Sequence, residues 1–284
     1  MKTEKFEHTF VCFLDILGFK DLVENNKPKE LEKIYKILLQ KSVDVTTKFW
    51  INGEMKTMTA GAELNSLVIS DSIVIWTSNP SPIAFLKMLV SVHGIMFATM
   101  NSGIPLRGAI SAGQLTVLKS ENNTTVFGKG LINAYKLESQ QNWSGCIVDN
   151  ELIEAYRYMT SDGKKTKKKS DKSLSIEDIY FLLEYPAPMK SGTIEERWVI
   201  DWTKLMNITE ENDEEEKYEG IYIQDKGVID SFGWHNKNTN DWRIQAIIRN
   251  TLDFWAYAMD YDDAQMTEFE NPEDFKKFMN SKKK

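Results

Sequence analysis

The sequence predicts an α/β (α+β) fold: a ferredoxin-like split βαβ unit with a helical extension at its C-terminal end. Three observations predict it. Strand-like runs and helical periodicities follow one another as strand, helix, strand, strand, helix, strand over residues 9–118. The chain has 284 residues, 42% hydrophobic and 27% charged, which suits one large globular domain or one domain with an appendage. Near its end, "DWRIQAIIRNTLDFWAYAMDY" (241–261) is a strongly apolar helix that needs a packing partner, either the core or a second subunit.

Taken in order, residues 9–17 read as a buried strand. Residues 28–49 carry Leu31, Ile34, Leu38 and Leu39 at helical spacing, with Pro28 near the start, and predict a helix. In "ELNSLVISDSIVIWTS" (63–78) two β-branched runs, 67–69 and 73–76, flank Ser70-Asp71-Ser72, a tight hairpin. Residues 81–101 predict a second helix, and "IPLRGAISAGQLTVL" (104–118) a strand. A short strand near 124–127, a helix over 130–142, a strand at 145–148 and a helix at 149–158 follow. "SIEDIYFLLEY" (175–185) and "ERWVIDW" (196–202) predict a closing strand pair. The basic run 164–173 and the acidic run 209–220 read as solvated loops.

Several function classes drop out. A net charge of −7 gives no electrostatic case for nucleic-acid binding. No run approaches the apolar length of a membrane span, and "MKTEKFEHTF" lacks a signal-peptide core, so a cytoplasmic location without membrane contact is expected. Cys12 and Cys146 read as reduced core residues, and His8, His93 and His235 are too scattered for a zinc site.

The chemistry gathers in four places. Asp15 sits inside "CFLDILGF", where an ionised carboxylate needs a partner: a buried cation, backbone N–H groups or a metal. Asp71 stands at the hairpin tip, where it also suits a turn on its own account. In a split βαβ sheet the first strand neighbours this hairpin, and two carboxylates at adjacent strand ends repel unless a cation lies between them. Oxygen-only ligands suit Mg2+ or Mn2+. Gly18, followed by Phe19, lets backbone N–H groups approach a phosphate closely. Arg107 interrupts an apolar strand; it either pairs with Asp15 or Glu138 or is aimed at a polyphosphate. "FGKGLINAYKLE" (127–138) is a glycine turn opening a helix, too incomplete for a Rossmann fingerprint.

These four pieces, "FLDILGF", "ISDSIVIW", "LRGAISAG" and "FGKGLINAYKLE", resemble in this order the class III nucleotidyl cyclase catalytic domain, over roughly residues 8–150 and on to 202 if "YPAPMKSG" (185–192) is its later lysine-bearing turn. The resemblance implies that Asp15, Asp71 and the Ile16 carbonyl hold two divalent cations, Mg2+ or Mn2+, and that Arg107 and Lys190 bind phosphates. Lys136 falls at the transition-state arginine position, and Ser70 stands where the family usually has Gly. Leu67 occupies the base-reading lysine position, Thr125 that of its aspartate partner, and Ile132 that of the ribose-orienting asparagine. The purine-reading set is therefore missing while the metal and phosphate set is present. That split resembles the bacterial Pycsar pyrimidine cyclases. They are homodimers that make cyclic UMP or cyclic CMP for a separate effector protein in antiphage defence. On this resemblance, residues 1–202 are the catalytic domain, and 203–284 an acidic loop and helical extension packing on it or on the dimer partner. UTP is favoured over CTP, with Trp50, Asn65 and Ser66 lining the base pocket. The alternatives are a purine cyclase and a catalytically silent nucleotide-binding module.

Overall fold

In the first strand Phe10, Cys12, Leu14 and Ile16 alternate with Val11, Phe13 and Asp15, so a pleated strand shows two apolar faces, one ending in a carboxylate. The computed structural model describes residues 2–45, 48–51, 54–57, 63–162, 176, 179–211 and 215–267. The elements are β1 (Lys2–Ile16), α1 (Phe19–Glu24), α2 (Pro28–Val45), β2 (Lys48–Ile51), β3 (Glu54–Thr57), β4 (Leu64–Ile69), β5 (Ser72–Thr77), α3 (Pro82–Met100), β6 (Leu106–Lys119), β7 (Thr124–Phe127), α4 (Lys129–Gln140), β8 (Cys146–Val148), α5 (Asn150–Asp162), β9 (Leu182–Pro188), β10 (Ile194–Ile200), β11 (Lys204–Glu211), β12 (Glu215–Tyr222), α6 (Asp225–Gly233) and α7 (Trp242–Thr267).

The main sheet runs β4-β5-β1-β6-β8-β10-β9, with β7 paired to β6. Its β4-β5-β1-β6 part is antiparallel throughout and has the strand order of the split βαβ unit. Only β6 and β8 run parallel in this sheet. The expected closing pair is β9 and β10, with β9 described from Leu182; residues 175, 177 and 178 of that expectation lie outside the described residues. β1 begins earlier than its apolar run suggests, because Lys2–Phe6 pairs with Leu115–Lys119 beyond a bulge.

The even-numbered face of β1 enters the main core with Ile73, Ile75, Leu106, Ile110 and the buried face of α3. The expectation that no run approaches the apolar length of a membrane span is corrected at α3: among the described helices it is the one long and apolar enough to cross a membrane, and 72% of that stretch is buried inside the fold. The odd-numbered face carries a second, smaller cluster of Val11, Val74, Trp76, Leu115 and Val117, with Phe13, Leu67, Val126 and Leu131 against it. α4 lies across this face, its Tyr135 ring edge-on to Phe13 at 5.4 Å. The "FGKG" glycines explain how closely α4 approaches. A Cβ on Gly113 would sit 2.6 Å from the Gly130 nitrogen, and one on Gly128 would sit 2.2 Å from the Gln114 oxygen.

Two expectations need correction. The acidic run 209–220, read as a loop, is largely strand: β11 and β12 form a hairpin that joins β2 and β3 in a second sheet, β12-β11-β2-β3. Pairing with neighbours, which a charged sequence does not announce, overrides composition there. The helix expected to reach 49 ends at Val45. α7 packs on the core through Phe254, fully buried among Trp143, Tyr185 and Trp202 at ring distances of 4.6, 4.9 and 5.7 Å. The basic run 164–173 and the Trp50 side chain lie outside the described residues.

Candidate active site

Asp15 is the last-but-one residue of β1, and register alone decides its neighbours. It sits opposite Ser72 on one side and Arg107 on the other. Asp71 follows Ser70 at the tip of the β4–β5 hairpin, and its carbonyl accepts a 2.9 Å hydrogen bond from the Ile16 N–H. The two aspartates thus stand at adjacent strand ends. The tip is shaped by Ser70, whose φ of 57° is left-handed, and is held by the Tyr35 hydroxyl, which donates to the Ser70 carbonyl at 2.8 Å. Tyr35 was not anticipated; a lone tyrosine in an amphipathic helix gives no signal of such a bond.

The charges around Asp15 do not balance. Arg107 is buried; its Nε donates to Glu138 Oε1 at 2.5 Å, and its Nη1 lies 3.4 Å from the Gln141 carbonyl. Its Nη2 comes no nearer than 3.5 Å to Asp15 Oδ2. Arg107, left with two readings by the sequence, is therefore paired internally, chiefly with Glu138 and less closely with Asp15. Burial pushes the Asp15 carboxyl up to about 7; Glu138 and then Asp71 add to the rise, and Arg107 and Lys190 oppose it. A carboxylate normally ionised far below neutrality is here held at the edge of ionisation by burial first and by two other carboxylates after it. No hydrogen bond or ion pair reaches the Asp71 carboxylate among the described residues.

Lys190, in the turn after β9, joins this group. Its Nζ donates to the Ser139 carbonyl at 2.7 Å, and its amine is pushed below its usual value by burial and by Arg107. Asp15, Ile16, Asp71, Arg107 and Lys190 are thus brought together, with Glu138 added. The others stand apart. Lys136 is exposed, on the opposite side of α4 from buried Ala134 and Glu138. Thr125 is exposed on β7. Leu67 is half-buried against the second-face cluster, as is Val126 beside Thr125. The Phe19 side chain packs into the main core. Gly18 has a structural cause beside the expected phosphate approach. Its φ is 76°, and a Cβ there would lie 2.9 Å from Lys237 Cδ.

Among the described residues no cluster of three or more His, Cys, Asp or Glu side chains cages a metal ion. What is present is two carboxylates with a neighbouring carbonyl, partly exposed, with Asp15 23% accessible. That donor set fits a hard divalent ion that keeps water and substrate oxygens in its shell.

No family model matches the sequence, and no curated protein matches it. Solved structures similar to this fold include the guanylyl cyclase Cya2, at 14% identity and TM-score 0.42, over 70% of this chain and 93% of that one. A dimeric guanylyl cyclase domain of a fusion protein from the aquatic fungus Blastocladiella emersonii has 15% identity and TM-score 0.44, over 69% and 97%. An adenylate/guanylate cyclase/hydrolase from Silicibacter pomeroyi has 15% identity and TM-score 0.39, over 70% and 98%. At these identities and scores the likeness carries no functional argument, which rests on the residues.

Proposed function

We propose that this chain is a nucleotidyl cyclase that converts a pyrimidine nucleoside triphosphate, UTP in preference to CTP, to its 3′,5′-cyclic nucleotide and pyrophosphate. The observation that carries the reading is the pair Asp15 and Asp71 at adjacent strand ends, joined through the Ile16–Asp71 backbone bond, with Asp15 pushed up to about 7. Such a pair is costly unless a cation compensates it.

Asp15, Asp71 and the Ile16 carbonyl would hold the divalent ions. When bound, these ions acidify the ribose 3′-hydroxyl and screen the triphosphate charge. The 3′-oxygen then attacks the α-phosphorus, the bond to the β-phosphate oxygen breaks, and the hydroxyl proton leaves to solvent. Arg107 and Lys190 supply positive charge beside that centre. Positioning and charge stabilisation suffice for phosphoryl transfer, so the proposed reaction needs neither a His base nor a Ser or Cys nucleophile. Lys136 and Thr125 are exposed and lie outside the group around Asp15 in one chain, which supports a homodimer whose partner copy completes each site.

The pyrimidine preference is supported by Leu67 and Thr125 in place of the purine-reading pair; uracil and cytosine differ at one ring edge that a single side chain can read. The second-messenger role in antiphage defence and the separate effector follow from the sequence resemblance. The internal pairing of Arg107 with Glu138 favours a second reading, a module that binds nucleotide without turning it over. Incubation with each of the four triphosphates and Mn2+, then chromatography, decides. Cyclic UMP as main product is the expected result; cyclic AMP or GMP overturns the pyrimidine reading, and calorimetric binding without cyclic product favours the silent module.

A further inference from the structure

Residues 234–238 are tied to α1 and to the α1–α2 turn, and at Gly18 to the turn after β1, by contacts that span most of the chain. Asn26 Nδ2 donates to the His235 carbonyl at 2.5 Å, and Asn236 Nδ2 donates to Asn26 Oδ1 at 3.0 Å. Asn25 Nδ2 donates to the Asn236 carbonyl at 2.9 Å, and the Asn238 N–H donates to Asp21 Oδ2 at 2.9 Å. His235 and Asn236 have φ of 60° and 59°. Consecutive left-handed non-glycine residues persist only where their surroundings hold them.

Lys237 is the centre of this arrangement. It is buried, its stem lies under Gly18, and its Nζ donates to the carbonyls of Gly103 and Ser231 at 2.8 and 2.9 Å. No ion pair compensates it among the described residues, and burial pushes its amine down to about 7 against the pull of Asp21. Trp234 covers Gly103, and His235 Nε2 lies 2.8 Å from the Ser102 carbonyl. Gly18 is only two residues beyond Ile16 and three beyond Asp15. Repulsion among Asp15, Asp71 and Glu138 would splay this strand end in the absence of a cation; the tie opposes it.

We propose that residues 234–238 are a latch that holds the turn at 17–19, and through it Asp15 and Ile16, in the arrangement competent to bind cation and triphosphate. Lys237 and Asn26 are its positioning residues and touch neither ligand. The proposal rests on the cyclase reading for its kinetic consequence alone. A latch that raises the population of the competent state lowers the apparent dissociation constant by that factor and leaves the bound state unchanged.

The test uses the full chain as wild type, Lys237→Met and Asn26→Ala. It measures amide hydrogen exchange over residues 17–24, calorimetric titration with Mn2+ alone, and KM and kcat for the triphosphate that wild type converts. The expected result for Lys237→Met is faster exchange over 17–24, with the Mn2+ dissociation constant and KM both raised about tenfold and kcat within about twofold. Asn26→Ala moves the same quantities less, and decides if Lys237→Met does not fold. Unchanged exchange, faster exchange with unchanged Mn2+ affinity, or a fall in kcat at fixed KM overturns the latch. A wild type that converts no triphosphate overturns the cyclase reading, while the exchange and Mn2+ measurements still decide the latch.

Discussion

Asp201 and Asp15 are both aspartates near strand ends, and they live differently. Asp201 is fully buried, yet it accepts from the Thr203 N–H at 3.0 Å and the Thr203 hydroxyl at 2.6 Å. Its Oδ2 also faces Lys204 Nζ at 3.2 Å, an ion pair whose angle falls short of a hydrogen bond. Asp15 is less buried; among the described residues its carboxylate has a single ion pair, the 3.5 Å contact with Arg107, and it has Asp71 and Glu138 beside it. The difference teaches that depth alone does not set the cost of a carboxylate; the supply of donors decides how much of that cost is offset. Asp201 is provided for by its own chain; the donors that Asp15 lacks are what the proposed cation would replace.

The largest effect expected is on turnover. On the proposed two-ion reading, Asp15→Asn and Asp71→Asn should each lower cyclisation at least about a thousandfold, since each replaces an anionic ligand by a neutral amide. Cyclic product formation in saturating Mn2+ checks this, and substantial turnover by either variant breaks the contrast with Asp201.

Next comes the stability of the two sites. Asp201→Ala leaves the Thr203 donors buried without their acceptor and breaks the buried ion pair with Lys204, and should cost about 3–5 kcal/mol in denaturant unfolding. Asp15→Asn, in contrast, should stabilise the metal-free protein at about pH 8 by roughly 2 kcal/mol, because it removes a charge that burial, Glu138 and Asp71 disfavour. Equal destabilisation by both substitutions would erase the comparison.

The pH dependence sharpens it. Unfolded, Asp15 ionises near its ordinary value of 3.8; folded, it ionises at about 7. Between these values the folded protein holds a proton that the unfolded chain releases. Asp15 therefore makes the metal-free protein lose stability as pH rises through this window, with no further loss above it. Urea midpoints across the window should show that slope in wild type and lack it in Asp15→Asn.

The smallest effect is at the hairpin tip. Ser70→Gly relieves a left-handed serine and should stabilise by about 1 kcal/mol, read as a small rise in melting temperature.

Much of the fold was legible because its elements obey simple periods. The alternation in 9–17, the turn formers between 67 and 76, and the Leu/Ile spacing after Pro28 led to the split βαβ unit and its strand order. That order in turn put Asp15 beside the Asp71 hairpin. What was illegible depends on contacts distant in sequence. β11 and β12 are charged and become strands by pairing with each other and with β2. The "FGKG" glycines read as a turn opening a helix, and nothing local tells that close packing of α4 on β6 requires them. Glu138 was named only as one possible partner of Arg107. Lys237, in "HNKNTN", reads as a solvent-facing lysine; nothing local tells that its stem fills the space beside Gly18.

The most direct test is the melting temperature of wild type, Asp15→Asn and Asp71→Asn with and without Mn2+. A cation shared by both carboxylates stabilises the folded state by mass action, so wild type should gain several degrees in Mn2+ and both variants almost none. A wild type indifferent to Mn2+, or a gain that survives in either variant, would contradict the account.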